Sequence, residues 1–319
     1  MRRILLNPPG WTKILLKKTL ARMGYQLVPC EDPAPIDVRS LGNHPALLLY
    51  HSTPKPVLVD VPVSRGRGPQ SMPLSAPAKH PFVLAARAGA QDNGGVDEVY
   101  NILKRYYAMV QPTTAAEWIG LSKDLVTVLH HESPLATSMP WATRTPDECR
   151  RARESWAKEE SKNVGLDLSI EHGWHFWGPV DNKKLEIEAH RIYRLIRSIK
   201  THGYRRHDGR DGDILGIMLR TENNQWCWRV SGGIHRAAVL SALGSDTIPV
   251  RIVQVINRED VDHWPGVISG IFSRQAALAV FDAVLEGSVP QIVRHWSNEN
   301  YSRSVYQYPT RNNAGHASP

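Results

Sequence analysis

The residues best suited to chemistry form one short stretch, which pairs two glycines with a histidine and an arginine. The stretch reads Ser231, Gly232, Gly233, Ile234, His235, Arg236. Glycine adopts positive φ cheaply and lets a backbone approach a ligand closely. If a helix starts here, its first N–H groups and the positive end of its dipole form an anion site over the turn. Arg236 adds a guanidinium suited to phosphate oxygens, and His235 adds a second donor. The stretch therefore predicts a phosphate-binding turn, although its spacing also fits a plain turn with a solvated arginine.

The flanking residues predict the elements that would hold this turn. Residues 226–230 alternate apolar and polar side chains, which indicates a strand. Helix-forming residues follow from His235 to Leu243, and Gly244 stands where a helix C-cap belongs. The β-branched run 248–256 predicts a returning strand. A strand, turn, helix and strand in this order would aim the helix N-terminus over the glycines.

The same stretch resembles a known signature. The residues that carry the likeness are Gly232, Gly233, His235, Arg236, Leu243, Gly244, Ile248, Pro249 and Val250. They resemble the ParB/sulfiredoxin superfamily, in which a glycine-rich turn ending in His-Arg or Arg-Arg opens a helix, followed by Leu-Gly, Ile-Pro-Val and a strand. The likeness extends upstream through 183–219 and covers about 75 residues. It implies that the turn holds the phosphates of a nucleotide (ATP, ADP or CTP), with a requirement for Mg²⁺ left open.

The activities of that superfamily differ, so the resemblance alone does not choose a reaction. Sulfinic acid reduction needs a cysteine within the turn, and Ile234 stands at that position. Partition-type ParB proteins continue into a long helix-turn-helix region, and too few, too weakly basic residues follow Val253 for that. The chain is also similar overall to ParB-like proteins that accompany bacterial cell-surface polysaccharide synthesis, through the segments 24–28 (GYQLV) and 178–180 (GPV). The third activity found in the superfamily is the phosphorylation of free serine. The resemblance therefore favours a phosphotransferase as the expected function.

Phosphoryl transfer also needs a carboxylate to orient or deprotonate the acceptor. In serine-phosphorylating relatives this carboxylate lies near the start of the helix before the first strand, which implies Asp181, Glu186 or Glu188 here. Glu188 shares a helix face with Leu185 and Ile192, so it is expected to point inward, where its pKa can shift. Each of the three also fits an ordinary surface carboxylate.

Composition narrows the partners and the compartment. The 319 residues carry a net charge of +8, which favours an anionic partner such as a nucleotide, a nucleic acid or an acidic membrane face. Cys30, Cys149 and Cys227 are too few and too far apart for a disulfide framework or a zinc site, as in a reducing cytoplasm. No metal site is predicted, because His172 and His175 lack helical ligand spacing.

Other segments supply the surroundings of the turn. The basic amphipathic stretch 11–27 predicts either a surface helix or a peripheral contact with the inner face of the membrane. The proline- and glycine-rich run 64–81 predicts a flexible loop. The aromatic run 174–177 predicts a core wall or a stacking surface for a base. Helices are predicted at 96–109, 146–162, 183–202 and 273–286.

Together these patterns predict an α+β (mixed α/β) protein with a ParB/sulfiredoxin-like core and helical additions on both sides. The expected segments are 1–80 (basic helix and irregular region), 81–165 (helical), 166–257 (nucleotide-binding core), 258–300 (helices) and 301–319 (tail). The expected function is a cytoplasmic, nucleotide-binding phosphotransferase acting on a small hydroxyl-bearing or glycan-related substrate. The alternatives are a non-catalytic DNA-binding or regulatory module and a scaffold that binds without turnover.

Overall fold

A mixed six-stranded sheet forms the centre of the fold, and helices pack around it, which confirms the α+β class. The computed structural model describes residues 35–42, 56–75, 79–162, 165–206 and 212–298. The helix predicted at 11–27 and the predicted tail lie outside the described residues.

The sheet has the order β1-β2-β6-β4-β5-β3. The strands are β1 (Ile36–Asp37), β2 (Val57–Pro62), β3 (Gly66–Arg67), β4 (Ile214–Arg220), β5 (Trp226–Gly232) and β6 (Thr247–Asn257). Strands β4 and β5 form an antiparallel hairpin, and β6 runs parallel to β4. Strand β4 therefore lies between β5 and β6, and the helix that joins those two strands must cross over it.

The helices share the core with this sheet. They are α1 (Pro81–Ala90), α2 (Val96–Met109), α3 (Ala115–Ile119), α4 (Pro146–Lys162), α5 (Asn182–His202), α6 (Ile234–Ala242), α7 (Pro265–Ile268), α8 (Arg274–Glu286) and α9 (Gln291–Asn298). Helix α1 packs against α2, α5 and α6, so it lies at the centre of the helical layer. The predicted helices at 96–109 and 146–162 are confirmed to the residue, because strong start signals precede both.

One expectation about the first third of the described chain was wrong, and one helix within the segment 81–165, expected to be helical, had no predicted bounds. The run 64–75 is not a flexible loop: Gly66 and Arg67 pair with β5, and Pro69, Gln70 and Ser71 are buried. The guanidinium of Arg67 binds the carbonyls of Val284 and Leu285, at the end of α8. Helix α1 was not predicted, because eight of its ten residues are buried and it therefore shows no polar stripe.

One stretch of the described chain, Arg274–Ser297, is long and apolar enough to span a membrane on length and composition. It consists of two helices, α8 and α9, separated at Gly287, which adopts the left-handed conformation of a helix C-cap. Phe281 and Trp296 are fully buried in the core. Core helices pass the same test of length and composition, so the stretch is weak evidence for a membrane protein.

Candidate functional site

The predicted strand, turn and helix around Gly233 are present. Strand β5 ends at Gly232, Gly233 is the N-cap of α6 with φ 79° and ψ 30°, and no side chain caps the helix. A Cβ on Gly233 would lie 3.0 Å from Nη2 of Arg236 and 3.3 Å from Cα of Ile214, so both its conformation and its space favour glycine. The first N–H groups of α6 therefore carry the positive end of the dipole without a side-chain partner.

A cavity of about 560 Å³ opens against this turn. The volume lies within the range of small-molecule sites. Its walls come from segments far apart in the chain: residues 229–235 with the turn, the aromatic segment 174–177, one face of α4, the segment before α4, and Pro69, Gln70 and Trp118. Helix α4 and its preceding segment contribute Thr137, Ser138, Met139, Ala142, Arg144, Cys149, Arg153, Trp156, Glu159 and Glu160.

Three arginines on the cavity wall have no carboxylate partner among the described residues. Arg144 lies over the ring of Trp156, with its guanidinium carbon 5.4 Å from the ring centre. Arg153 binds the main-chain carbonyls of Leu135 and Thr137 and interacts with the side chain of Cys149. The buried Nε of Arg229 lacks a hydrogen-bond partner among the described residues. Arg144 is exposed, whereas Arg153 and Arg229 are partly withdrawn from water, where guanidinium groups are normally paired with an anion.

The pKa values of Arg153 and Arg229 reflect the absence of a carboxylate partner among the described residues. Burial and the nearby charge of Arg153 lower the pKa of Arg229 to about 10. Burial also lowers the pKa of Arg153, and Cys149 partly opposes this. Arg153 disfavours the charge of Arg229, and Arg144 disfavours that of Arg153, so an anion beside these groups would stabilise their charged forms. The cavity is therefore electrostatically prepared for phosphate or carboxylate.

Aromatic residues form the rest of the wall. Trp174 and Trp177 are buried at 5% and 7% exposure, and Trp177 packs edge-on to Trp118. The indole Nε1 of Trp174 is buried without a hydrogen-bond partner among the described residues. Trp156 is 44% exposed. The aromatic run 174–177 thus builds the core wall, as one of its two interpretations predicted, and also faces the cavity.

A buried ion network lies behind His235 and is centred on Glu188. The Glu188 side chain is fully buried, and its Oε1 lies 3.2 Å from Nη1 of Arg191 and 3.5 Å from Nζ of Lys184. Its Oε2 lies 3.0 Å from Nε2 of His235, a distance for an ion pair, although the atoms are not aligned for a hydrogen bond. Glu160 joins the network through Lys184 at 3.2 Å and Arg191 at 3.5 Å. The inward orientation predicted for Glu188 is correct.

The network fixes which groups are charged. Burial raises the pKa of Glu188, but the opposing effects of Arg191 and His235 are together larger. The pKa therefore lies well below its usual range. The pKa of Glu160 is lowered against its burial by His175, Arg191 and Lys184. Burial lowers the pKa of His175 to about 4, so this imidazole is neutral at pH 7. Both carboxylates are ionised at neutral pH, and only Glu160 also faces the cavity.

Glu160, His175 and Glu188 are close enough to hold a metal ion, since their ligand atoms lie within 4.8 Å of one another. The ammonium of Lys184 lies between the two carboxylates, and Arg191 contacts both. These two cations already balance the two negative charges. The residues therefore fit an internal salt-bridge network better than a metal centre.

The remaining residues predicted from the sequence lie elsewhere. The Arg236 guanidinium binds the carbonyl of Gly212 and does not line the cavity. Asp181 caps α5 by accepting from the backbone N–H of Lys183 at 2.7 Å. Glu186 is exposed and lines a different groove together with Lys183 and His190. Ser231, Gly232, Gly233, Ile234 and His235 all line the cavity.

The sequence predicted helix α4 but not its contribution to the cavity wall. Cys149, Arg153, Trp156 and Glu160 follow one another at intervals of four, three and four residues, so they share one helix face. A thiol, a guanidinium, an indole and a carboxylate in one stripe are unusual for a solvated surface. That stripe was the signal available in the sequence.

Comparison with known proteins supplies no assignment. No protein-family model matches the chain, and no curated protein matches it significantly.

Proposed function

We propose that the protein binds a nucleotide in the cavity beside Gly233 and transfers a phosphoryl group from it to a hydroxyl-bearing small-molecule or glycan-related acceptor. The observation that carries this proposal is the joint presence of an uncapped helix N-terminus and three arginines without carboxylate partners on one wall. Both features favour a polyanion. The aromatic wall adds surface suited to a base.

The proposal assigns separate tasks to the parts of the wall. The N–H groups at the start of α6 bind phosphate oxygens, and Arg153 and Arg229 neutralise their charge. Trp156 offers an exposed ring face for the base, with Arg144 over its ring. A nucleotide bound in this way brings the transferable phosphoryl group, and Mg²⁺ would enter with its phosphates.

Glu160 is the carboxylate best placed to act on the acceptor. It lines the cavity, its side chain is 31% exposed, and its lowered pKa keeps it ionised at neutral pH. An ionised carboxylate can accept the proton of an acceptor hydroxyl and orient its oxygen. Glu188 is fully buried and surrounded by Lys184, Arg191 and His235, so its role is to position these groups.

A comparison of two glutamates on helix α4 tests the proposal. Isothermal titration with ATP, ADP and CTP, with and without Mg²⁺, measures binding by the full chain, and nucleotide turnover is then followed with candidate hydroxyl acceptors. Glu160→Gln should keep nucleotide affinity and lose turnover by about a hundredfold or more. Glu154→Gln is the matched control, because Glu154 lies on the same helix and does not line the cavity. Absence of binding to all three nucleotides would contradict the proposal.

The DNA-binding alternative has weaker support in the structure. Two basic residues of α5 already have partners, since Arg191 pairs with Glu188 and Glu160, and Lys200 donates to the carbonyl of Ala90. Arg194 and Arg197 remain exposed. Duplex binding would show a steep loss of affinity with salt, whereas nucleotide binding with turnover would not depend on DNA.

A further inference from the structure

The second reactive group on the cavity wall is the thiol of Cys149. Cys149 is free and partly buried, and it lies one turn before Arg153 on α4, where the two side chains interact. The other described cysteine, Cys227, is buried against the carbonyl of Val284, and burial raises its pKa to about 12. Of the described thiols, only Cys149 therefore faces a space that a reagent can enter.

The wall around Cys149 is built for an anionic ligand. Arg144 and Arg153 have no carboxylate partner among the described residues. Trp174, at 5% exposure, lines the same cavity, and its Nε1 has no hydrogen-bond partner among the described residues. A ligand with an acceptor atom can supply the missing partner. Thiols beside arginines in partly exposed, electropositive surroundings are the ones that react.

We propose that Cys149 is a modification site, at which an anionic low-molecular-weight disulfide forms a mixed disulfide that occupies the cavity. The carboxylates of the disulfide are recognised by Arg144 and Arg153 before the reaction. The resulting adduct places negative charge where the phosphates of a nucleotide would bind. The thiol chemistry stands by itself, whereas its effect on nucleotide binding rests on the proposed function.

The exchange is balanced without a further reagent. Cys149 loses its proton to solvent, and its sulfur attacks one sulfur of the incoming disulfide. The bond between the two sulfurs of the reagent breaks as the new sulfur–sulfur bond forms. The departing thiolate takes the electron pair, so Cys149 is oxidised and the reagent is reduced. A second thiol reverses the step.

The test compares two aromatic disulfides of similar size on the full-length protein. One carries two carboxylates, and the other is a neutral dipyridyl disulfide. Release of the coloured thiol gives the rate, and mass spectrometry of the digested protein identifies the cysteine. We expect the dicarboxylate to react with Cys149 faster than the neutral reagent by about tenfold or more, after each rate is divided by that of a small free thiol.

Variants separate the thiol from its surroundings. Cys149→Ser should remove the fast phase, and Cys227→Ser should leave it unchanged. Arg144→Gln should slow the dicarboxylate reagent and leave the neutral reagent unaffected. If Cys149→Ser does not fold, mass spectrometry of the unaltered protein still shows whether Cys149 is the residue that reacts. A reagent preference equal to that of the free thiol, or labelling that spares Cys149, would overturn the inference.

Nucleotide protection distinguishes this inference from the proposed function. If ATP or ADP slows the modification and the adduct blocks nucleotide binding until a reducing agent is added, both stand. If the charge-selective reaction occurs and no nucleotide protects, the modification site stands and nucleotide binding fails. If a nucleotide binds but Cys149 shows no charge selectivity, the modification site fails alone.

Discussion

Replacement of Arg229 by methionine should stabilise the free protein and weaken its binding of nucleotide. Arg229 is partly buried, its Nε has no partner, and burial with the charge of Arg153 lowers its pKa from 12.5 to about 10. At about 1.4 kcal/mol per decade, this corresponds to about 3 kcal/mol of cost for folding the charged form, an upper bound because cavity water screens the charge. The guanidinium is charged in the folded and unfolded chain below pH 10, so the cost is fully present at neutral pH.

The two effects of Arg229→Met have opposite signs, which makes the test sharp. Methionine keeps the apolar length of the side chain and removes the charge, so urea denaturation at pH 7 should show a free energy of unfolding raised by about 1 to 3 kcal/mol. Titration calorimetry should show nucleotide affinity reduced by about 1.5 to 3 kcal/mol, or roughly tenfold to a hundredfold.

Arg258→Met is the matched control. Arg258 pairs with Asp282 at 2.7 Å on an exposed surface, so its loss should change stability by less than about 1 kcal/mol and leave nucleotide affinity unchanged. A destabilised Arg229→Met protein with unaltered nucleotide affinity would refute the reasoning. It would mean that Arg229 is satisfied within the folded chain and does not face a ligand.

Further substitutions and one binding assay test other parts of the proposal. Gly233→Ala forces a side chain into φ 79° and should cost roughly 1 to 2 kcal/mol of unfolding free energy and weaken nucleotide binding; Gly244→Ala, at φ 88° with open space around it, should cost a similar amount and leave affinity intact. Glu188→Ala removes a partner of the buried Lys184 and should cost about 3 to 5 kcal/mol by urea denaturation, with Glu188→Gln milder. Because the pKa of Glu188 is depressed, its contribution is present above the unfolded pKa and lost as pH falls below about 4, so unfolding free energy should depend less on acid pH in Glu188→Gln than in the unaltered protein. Duplex DNA binding in a mobility-shift assay at two salt concentrations should be weak at both, and tight, salt-steep binding would favour the alternative function.

Local signals in the sequence were sufficient for the turn and its flanking elements. Residues 226–256 carry strand alternation, two glycines and a C-cap glycine, and each of these is a property of neighbouring residues. The inward face of Glu188 followed from helical periodicity in the same way. Such patterns fix the conformation of a segment because they depend on few distant contacts.

The cavity itself could not be predicted, because its walls meet only in the folded chain. Arg153 on α4 and Arg229 on β5 are far apart in sequence, and their mutual repulsion arises from tertiary packing. Gln70 adopts φ 56° in a buried turn whose prolines and glycines resemble those of a solvated loop. Helix α1 is buried nearly all round, so its sequence lacks the polar stripe that marks a surface helix.

Arg236 shows the limit of reasoning from a motif. Its guanidinium suited phosphate on chemical grounds, but in the fold it binds the carbonyl of Gly212. In the proposed function its place is taken by Arg153 on α4 and Arg229 on β5, and no motif of the turn includes them. The proposed ligand is therefore the same as the one expected from the sequence, but different residues are proposed to neutralise its charge.

The most direct measurement is a crystal structure of the full-length protein with ATP or ADP at saturating concentration. The account predicts phosphate oxygens within hydrogen-bond distance of the backbone N–H groups that follow Gly233, and a base in the cavity near Trp156. A nucleotide bound elsewhere on the surface, with the cavity filled only by water, would contradict it.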